Sequence, residues 1–260
     1  MTLASQHRPP AGPGLHAVAD DAMAQLEFIL ARVAAGEVRE MALGDREAVI
    51  VKLEGDAGTI EVDGEAFALP ARASVFADGP SAVYAPPGTT ARLHGPLLAG
   101  IYLAAAQDGP PAYAVLPGDV TSVARGEGNF SRQVRDIVTA DRPATRLLVG
   151  ETLNPAGNWS SAPPHKHDVD EPPREARLEE VYLFRVDPPQ GFGIQGSYAK
   201  DPPERRAFIV EDLDVVTIPA GYHPVAAAPG YRLYYLWGLA GSGRELLWNT
   251  DPDHAWVLES

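Results

Sequence analysis

The hydrophobic pattern becomes legible at residue 46, where REAVIVKLEG, GTIEVDG, EAFALP and SAVYAPPG follow one another, each a short β-rich run closed by Gly, Pro or Asp. Such spacing predicts a meander or jelly roll. Upstream, DDAMAQLEFILARVAAG (20–36) has the Ala-rich composition of a helix, yet LEFILARV reads equally well as a buried strand. Across residues 105–145 the texture turns polar and irregular, as a linker or long crossover does. The β pattern then resumes through TRLLVGETL, EEVYLFRV, GFGIQGSYA, AFIVED, DVVTIPAGYHPVAA and YRLYYLWGL. A β-rich run leads into Pro86-Pro87-Gly88 in the first half and into Pro219-Ala220-Gly221-Tyr222-His223 in the second, so the second half reads as a repeat of the first. The expected organisation is an all-β chain of two jelly-roll barrels: residues 1–15 a flexible tail, 16–120 one barrel and 121–260 the other.

Composition narrows the function. Gly and Pro, at 25 residues each, sit between the apolar runs and supply the turns that many short strands need. With 35 acidic against 21 basic residues the net charge is −14, which argues against nucleic acid and anionic membrane surfaces as partners. There is no cysteine, so any metal site must be built from histidine and carboxylate. The first fifteen residues lack an apolar run of the signal-peptide kind and nothing reaches transmembrane length, so the expected location is the cytoplasm.

The candidate chemistry lies in the second half. In PPHKHD (163–168), His165 and His167 stand at i and i+2, a spacing that puts both imidazoles on one face of a strand and turns Lys166 away. LEEVYLFR (178–185) offers a carboxylate on a second strand, Glu179 or Glu180, and PAGYH (219–223) offers His223 after a tight turn. Each piece alone is common on protein surfaces; three histidines and a glutamate in order on strands of one barrel are a specific pattern. His7, His16, His94 and His254 fall outside it and read as surface or capping residues, with His254 and Trp256 retaining a chance of closing the site.

These residues resemble the cupins, and among them the KduI/IolB group, through GNWSSAPPHKHD (157–168), LEEVYLFR (178–185), PPQGFGIQ (188–195), PAGYHPVAAAPGYRLYYL (219–236) and DPDHAW (251–256), with looser similarity in RGEGNFSRQVRDI (125–137). The resemblance implies a bicupin whose first barrel, 16–120, carries no metal ligands and whose second, 121–260, binds one divalent metal. It further implies conversion of 5-deoxy-D-glucuronate to 5-dehydro-2-deoxy-D-gluconate, an aldose–ketose isomerisation of inositol catabolism. Carried over by motif, the ligands are His165, His167, Glu180 and His223, because the family's carboxylate immediately precedes the Val-Tyr pair. Zinc is the first expectation for the metal, with manganese, iron or nickel as alternatives.

Such a reaction needs a proton to leave C2 and another to reach C1 through an enediolate, whose charge a divalent cation can stabilise. The proton-handling or orienting groups expected in the barrel are Tyr182, Gln195 and Tyr234, with Tyr198 and Tyr235 as rivals. A sugar acid also calls for a cation, and Lys166, Arg185, Arg205 and Arg232 are nearby in sequence, although strand parity turns Lys166 and Arg185 outward. The chain departs from the family pattern at Ala162, Gly196 and Trp237, which bears on the exact substrate. A different metallo-cupin enzyme such as a dioxygenase, or a sugar-binding cupin without turnover, are the competing readings. A homo-oligomer is compatible with two barrels in one chain.

Overall fold

In the computed structural model, which describes residues 2–259, the chain forms two β-barrels, each made of a large and a small antiparallel sheet. The first barrel's large sheet runs in the order Tyr113–Val115, Ser81–Ala85, Arg46–Glu54, Leu97–Ala105, Glu27–Val33, Gly14–Val18, and its small sheet Val38–Ala42, Thr90–His94, Gly58–Val62, Glu65–Leu69. In the second barrel the large sheet runs Ser5–His7, Val215–Ile218, Leu178–Asp187, Arg232–Gly241, Leu148–Asn154, Arg132–Val138, Ser122–Arg125. Its small sheet is Trp159–Ser160, Val225–Ala227, Gly193–Lys200, Pro203–Val210, and a short pair joins His165–Lys166 to Asn249–Thr250. The described residues contain short 3-10 turns and no α-helix.

The large sheets are buried on both faces, which is why their strands read as near-continuous apolar runs. Along Leu178–Asp187, Val181 and Leu183 join a core shared with the first barrel, while Leu178, Tyr182, Phe184 and Val186 fill the second barrel's interior. Glu27–Val33 behaves the same way: Phe28 and Leu30 enter the shared core, Ala31 and Val33 the first barrel's interior. That two-sided burial settles the ambiguous 20–36 segment as a turn followed by a strand.

The amino-terminal segment is not the free tail that its Pro and Gly content suggested. Ser5–His7 pairs antiparallel with Val215–Thr217 in the second barrel, Leu3 and Ala4 are fully buried, and Gly14–Val18 then enters the first barrel. The segment therefore straps both barrels together and closes a sheet edge that would otherwise present unpaired backbone groups. A three-residue strand is too short to display a period, so composition misled. Tyr113–Val115, the last strand before the second barrel, forms the other edge of the first barrel's large sheet against Ser81–Ala85.

Strand register also relates the two halves at the position of the candidate carboxylate. Ala48 faces Ala85 just before Pro86-Pro87-Gly88, and Glu180 faces Ile218 just before Pro219-Ala220-Gly221. Ala48 thus stands where the second barrel has Glu180, and Ala48, Ile50, Val83, Ala85, Ala91 and Leu93 pack the first interior with apolar side chains.

Candidate metal centre

Local structure brings His165, His167, Glu180 and His223 together. His165 lies in the short strand His165–Lys166, held by pairing with Asn249–Thr250, and His167 follows it. His167 Nδ1 donates to the Leu178 carbonyl at 2.7 Å, which leaves Nε2 directed at Glu180 Oε2, 3.2 Å away. His223 Nδ1 donates to the Gly221 carbonyl at 2.9 Å, and its Nε2 lies 3.2 Å from the same carboxylate oxygen. One ring nitrogen from each histidine falls within 4.8 Å of the others. The turn that delivers His223 depends on Gly221, whose φ is +91° and whose hypothetical Cβ would sit 2.8 Å from Leu3 Cδ2 and 2.9 Å from the Tyr198 carbonyl. Lys166 faces away, bonding Glu175 at 2.9 Å and also Asp168.

Electrostatics favour the ligating forms of Glu180 and His165. Burial alone would raise the Glu180 carboxyl, but the imidazoles of His167 and His223 outweigh it and hold the pKa at about 2. Burial, then the neighbouring His223 and His167, push the His165 imidazole well below its ordinary range, so it is neutral with a free lone pair. For His167 burial acts downward, yet the hydrogen bond and charge of Glu180 carry it upward. His223 Nε2 is buried and finds no hydrogen bond of acceptable geometry, its approach to Glu180 notwithstanding. An orphaned imidazole nitrogen beside two further imidazoles and a carboxylate is a donor set suited to a divalent cation, with backbone carbonyls fixing the His167 and His223 rings. Glu179 is excluded, because it points to the opposite face and accepts the backbone N–H groups of Ala24, Gln25 and Leu26.

The centre opens into a cavity of about 340 Å³ whose walls include Thr152, Ser160, Ser161, Tyr182, Tyr235, Trp237 and Trp248. Tyr182 is there as expected, with Oη 3.4 Å from Ser161 Oγ and its ring 4.6 Å from that of Tyr235. Burial and the Glu180 charge drive its phenol far above the ordinary value, so Tyr182 keeps its proton. Gln195 is buried outside the cavity; its Nε2 donates to the carbonyls of Gly196, His223 and Pro224 at 2.8, 3.1 and 3.2 Å, fastening the His223 turn. Tyr234 must be corrected. On Arg232–Gly241 the odd-numbered residues 233, 235, 237 and 239 face the second barrel's interior, so Tyr234 points into the shared core and donates to Glu151 at 2.8 Å. Tyr235 takes the cavity position and bonds Ser160.

Tyr198 bonds Asp251 instead of facing the cavity. Among the proposed cations, Arg185 is paired with Asp212 at 2.8 Å, Arg232 with Asp187 at 2.9 Å, and neither these nor Lys166 and Arg205 line the cavity. Ala162 and Trp237, two of the departures from the family pattern, do line it, and the third, Gly196, does not. The sequence reading overlooked Ser160 and Ser161, although they stand inside the NWSSAPP stretch, and Arg132, although it stands inside RGEGNFSRQVRDI, as well as Thr152 and Trp248, which no local motif marks. Trp248 packs 5.6 Å from the His165 ring, while Trp256 is largely exposed.

The KduI/IolB family matches this chain over residues 7–257. The chain belongs to the KduI/IolB family. The 5-deoxy-glucuronate isomerase of Geobacillus kaustophilus is 38% identical over 236 residues, spanning 90% of this chain and 84% of that protein. That of Shouchella clausii is 37% identical over 237 residues, spanning 90% and 88%. Among solved structures, an IolB-like protein from Salmonella typhimurium LT2 superposes with a TM-score of 0.93 at 31% identity, covering 99% of this chain and all of that one. Oxalate decarboxylase from Lactobacillus farciminis shares the fold alone, with a TM-score of 0.64 at 12% identity over 100% of this chain and 91% of that one. The two barrels are those of a bicupin.

Proposed function

We propose that this KduI/IolB protein isomerises 5-deoxy-D-glucuronate to 5-dehydro-2-deoxy-D-gluconate with a divalent metal, zinc in the first instance, held by His165, His167, Glu180 and His223. The observation that carries the reading is the convergence of three imidazoles, two of them 3.2 Å from the Glu180 carboxylate, with His223 Nε2 buried and without a hydrogen bond. The name borne by the relatives supplies the substrate.

When bound, the cation supplies Lewis-acid stabilisation of the enediolate oxygens. The protein's own groups do the rest. Tyr182, kept protonated by burial and by Glu180, donates a hydrogen bond to substrate oxygen as negative charge develops there. Ser161 beside Tyr182 and Ser160 bonded to Tyr235 form two hydroxyl pairs on the cavity wall, which orient the substrate by hydrogen bonds to its C1 and C2 oxygens. Trp237 and Trp248 wall the cavity with apolar surface that limits water around the intermediate. Gln195 acts by positioning, through the carbonyls of the His223 turn.

The test is an NMR time course of purified protein with 5-deoxy-D-glucuronate, run after chelation and after adding back zinc, manganese, iron or nickel singly. Conversion to the 2-ketone that stops on chelation and returns with one metal is expected. A fully metal-loaded sample that leaves the substrate unchanged would overturn the reading.

A further inference from the structure

Two basic side chains line the cavity of the metal centre, Arg125 and Arg132. They are direct cross-strand partners, on Ser122–Arg125 and Arg132–Val138. Like charges directly opposed in an antiparallel pair destabilise it, and a chain of net charge −14 has acids to spare for relieving them. Elsewhere on these strands relief is given: Arg135 pairs with Glu151 at 2.9 Å. Neither Arg125 nor Arg132 forms an ion pair among the described residues. Asp136, on the same strand and lining the same cavity, does not reach either of them at ion-pair distance, and burial pushes its own carboxyl upward.

Arg132 is nonetheless held in place. Its Nη1 donates to the Phe130 carbonyl at 3.1 Å. Gly126, at φ +70°, leaves the space it occupies, since a Cβ there would lie 2.7 Å from that Nη1 and 2.5 Å from the Phe130 carbonyl oxygen. No other hydrogen bond joins the guanidinium to the described protein, so most of its donors remain for something in the cavity. Burial lowers its pKa, but an arginine keeps its charge across all ordinary pH.

We propose that Arg132, assisted by Arg125, is the carboxylate-binding element of this cavity: it grips the acid end of the sugar acid and so directs the carbonyl end toward His165, His167, Glu180 and His223. A planar guanidinium matches a carboxylate two donors to two acceptors, and the anion offsets the repulsion between the facing arginines. This assignment rests on the isomerase reading for the identity of the ligand, whereas the presence of an anion site rests on the arginines alone.

The experiment compares metal-loaded wild-type protein with Arg132→Gln, Arg132→Lys and Arg125→Gln. Titration calorimetry with D-glucuronate and with neutral D-glucose reads the charge preference without any turnover. Wild type should prefer the acid, Arg132→Gln should lose roughly tenfold to a hundredfold in acid affinity while binding glucose unchanged, Arg132→Lys should lie between, and Arg125→Gln should lose less. Metal content should stay the same, and the ligand-free melting temperature of Arg132→Gln should not fall, because one of two opposed charges has gone. In turnover of 5-deoxy-D-glucuronate the loss should appear mainly in KM. Absence of an acid preference in wild type, or equal loss of acid and glucose in Arg132→Gln, overturns the proposal. If wild type turns nothing over yet binds acid through Arg132, the isomerase reading falls and the anion site stands.

Discussion

His165, His167, Glu180 and His223 differ in what holds each of them, and the expected consequences of substitution differ accordingly. His167 and His223 are locked by Nδ1 hydrogen bonds to backbone carbonyls, and His165 by strand pairing with Thr250 and packing against Trp248. His165→Ala and His223→Ala should each remove nearly all bound metal, measured by elemental analysis, and leave the far-ultraviolet circular dichroism unchanged, since the barrel's apolar interior lies beneath the site. Gln195 makes a subtler case. Replacing it with Ala frees three carbonyls around the His223 turn, and about a tenfold to hundredfold weaker metal affinity is expected, the usual range for a residue that orients a ligand. Competition with a fluorescent chelator would measure it, and unaltered affinity would remove Gln195 from the site's support. The four clustered residues were legible in the sequence because each sits in a short local motif. Tyr234 was misassigned because adjacent aromatic residues in YRLYYL cannot be told apart until the strand's facing is known, and both faces of that strand are buried. Arg132 was unreadable for another reason: its meaning comes from its having no ion-pair partner among the described residues.

Among the elements, the segment after Arg232–Gly241 lies largely on the surface yet lines the cavity. Leu246, Trp248, Thr250 and Leu258 line the cavity although Leu246, Trp248 and Leu258 remain substantially exposed. Asn249–Thr250 pairs with Lys166 and His165, and Asp251 fixes the segment by accepting from Tyr198 Oη at 2.6 Å, from Lys200 and from the Asp253 backbone N–H at 2.9 Å. Burial alone would raise the Asp251 carboxyl, but these hydrogen bonds hold it below its ordinary value. A carboxyl with a depressed folded-state pKa stabilises above its unfolded value near ~4 and loses that contribution as pH falls through the folded value. Docking of this segment should therefore be complete at neutral pH and weaken only on acidification below about pH 4. Asp251→Asn should reproduce the acid behaviour at neutral pH: faster amide hydrogen exchange at residues 246–258, with the barrel strands unaffected. Exchange unchanged at neutral pH would mean that the strand pairing alone holds the segment. DPDHAW was noticed in the sequence as a resemblance, but its function as an anchor needed Tyr198 and Lys200, which lie about fifty residues away and carry no mark of their partnership.

For the molecule as a whole, the two barrels are fastened by interactions that repeat in reverse. Glu47 of the first accepts the backbone N–H groups of Thr145, Arg146 and Leu147 entering the second, and Glu179 of the second accepts those of Ala24, Gln25 and Leu26 entering the first. Ser5–His7 adds a strand to the second barrel's sheet from the chain's amino-terminal side. Between the barrels, fully buried Arg72 bonds Glu151 at 2.8 Å, Tyr234 donates to the same carboxylate, and Tyr102 reaches the Leu236 carbonyl at 2.9 Å. A buried ion pair of this kind adds little over apolar packing while intact, but removing one partner strands the other charge in the core at a cost of about 3–5 kcal/mol. Glu151→Gln should therefore lower the melting temperature by roughly 10 °C, given the few degrees per kcal/mol expected for a chain of this size. Because the shared core draws on both barrels, loss of the pair should loosen them together: calorimetry should record one transition for wild type and for Glu151→Gln, with calorimetric and van't Hoff enthalpies in agreement. Two resolved transitions in wild type would make each barrel a unit that folds alone, and the reciprocal fastenings would then be a docking surface between finished domains. A single transition would instead mean that the apolar first barrel serves as the wall against which the barrel holding the proposed metal centre is kept in shape.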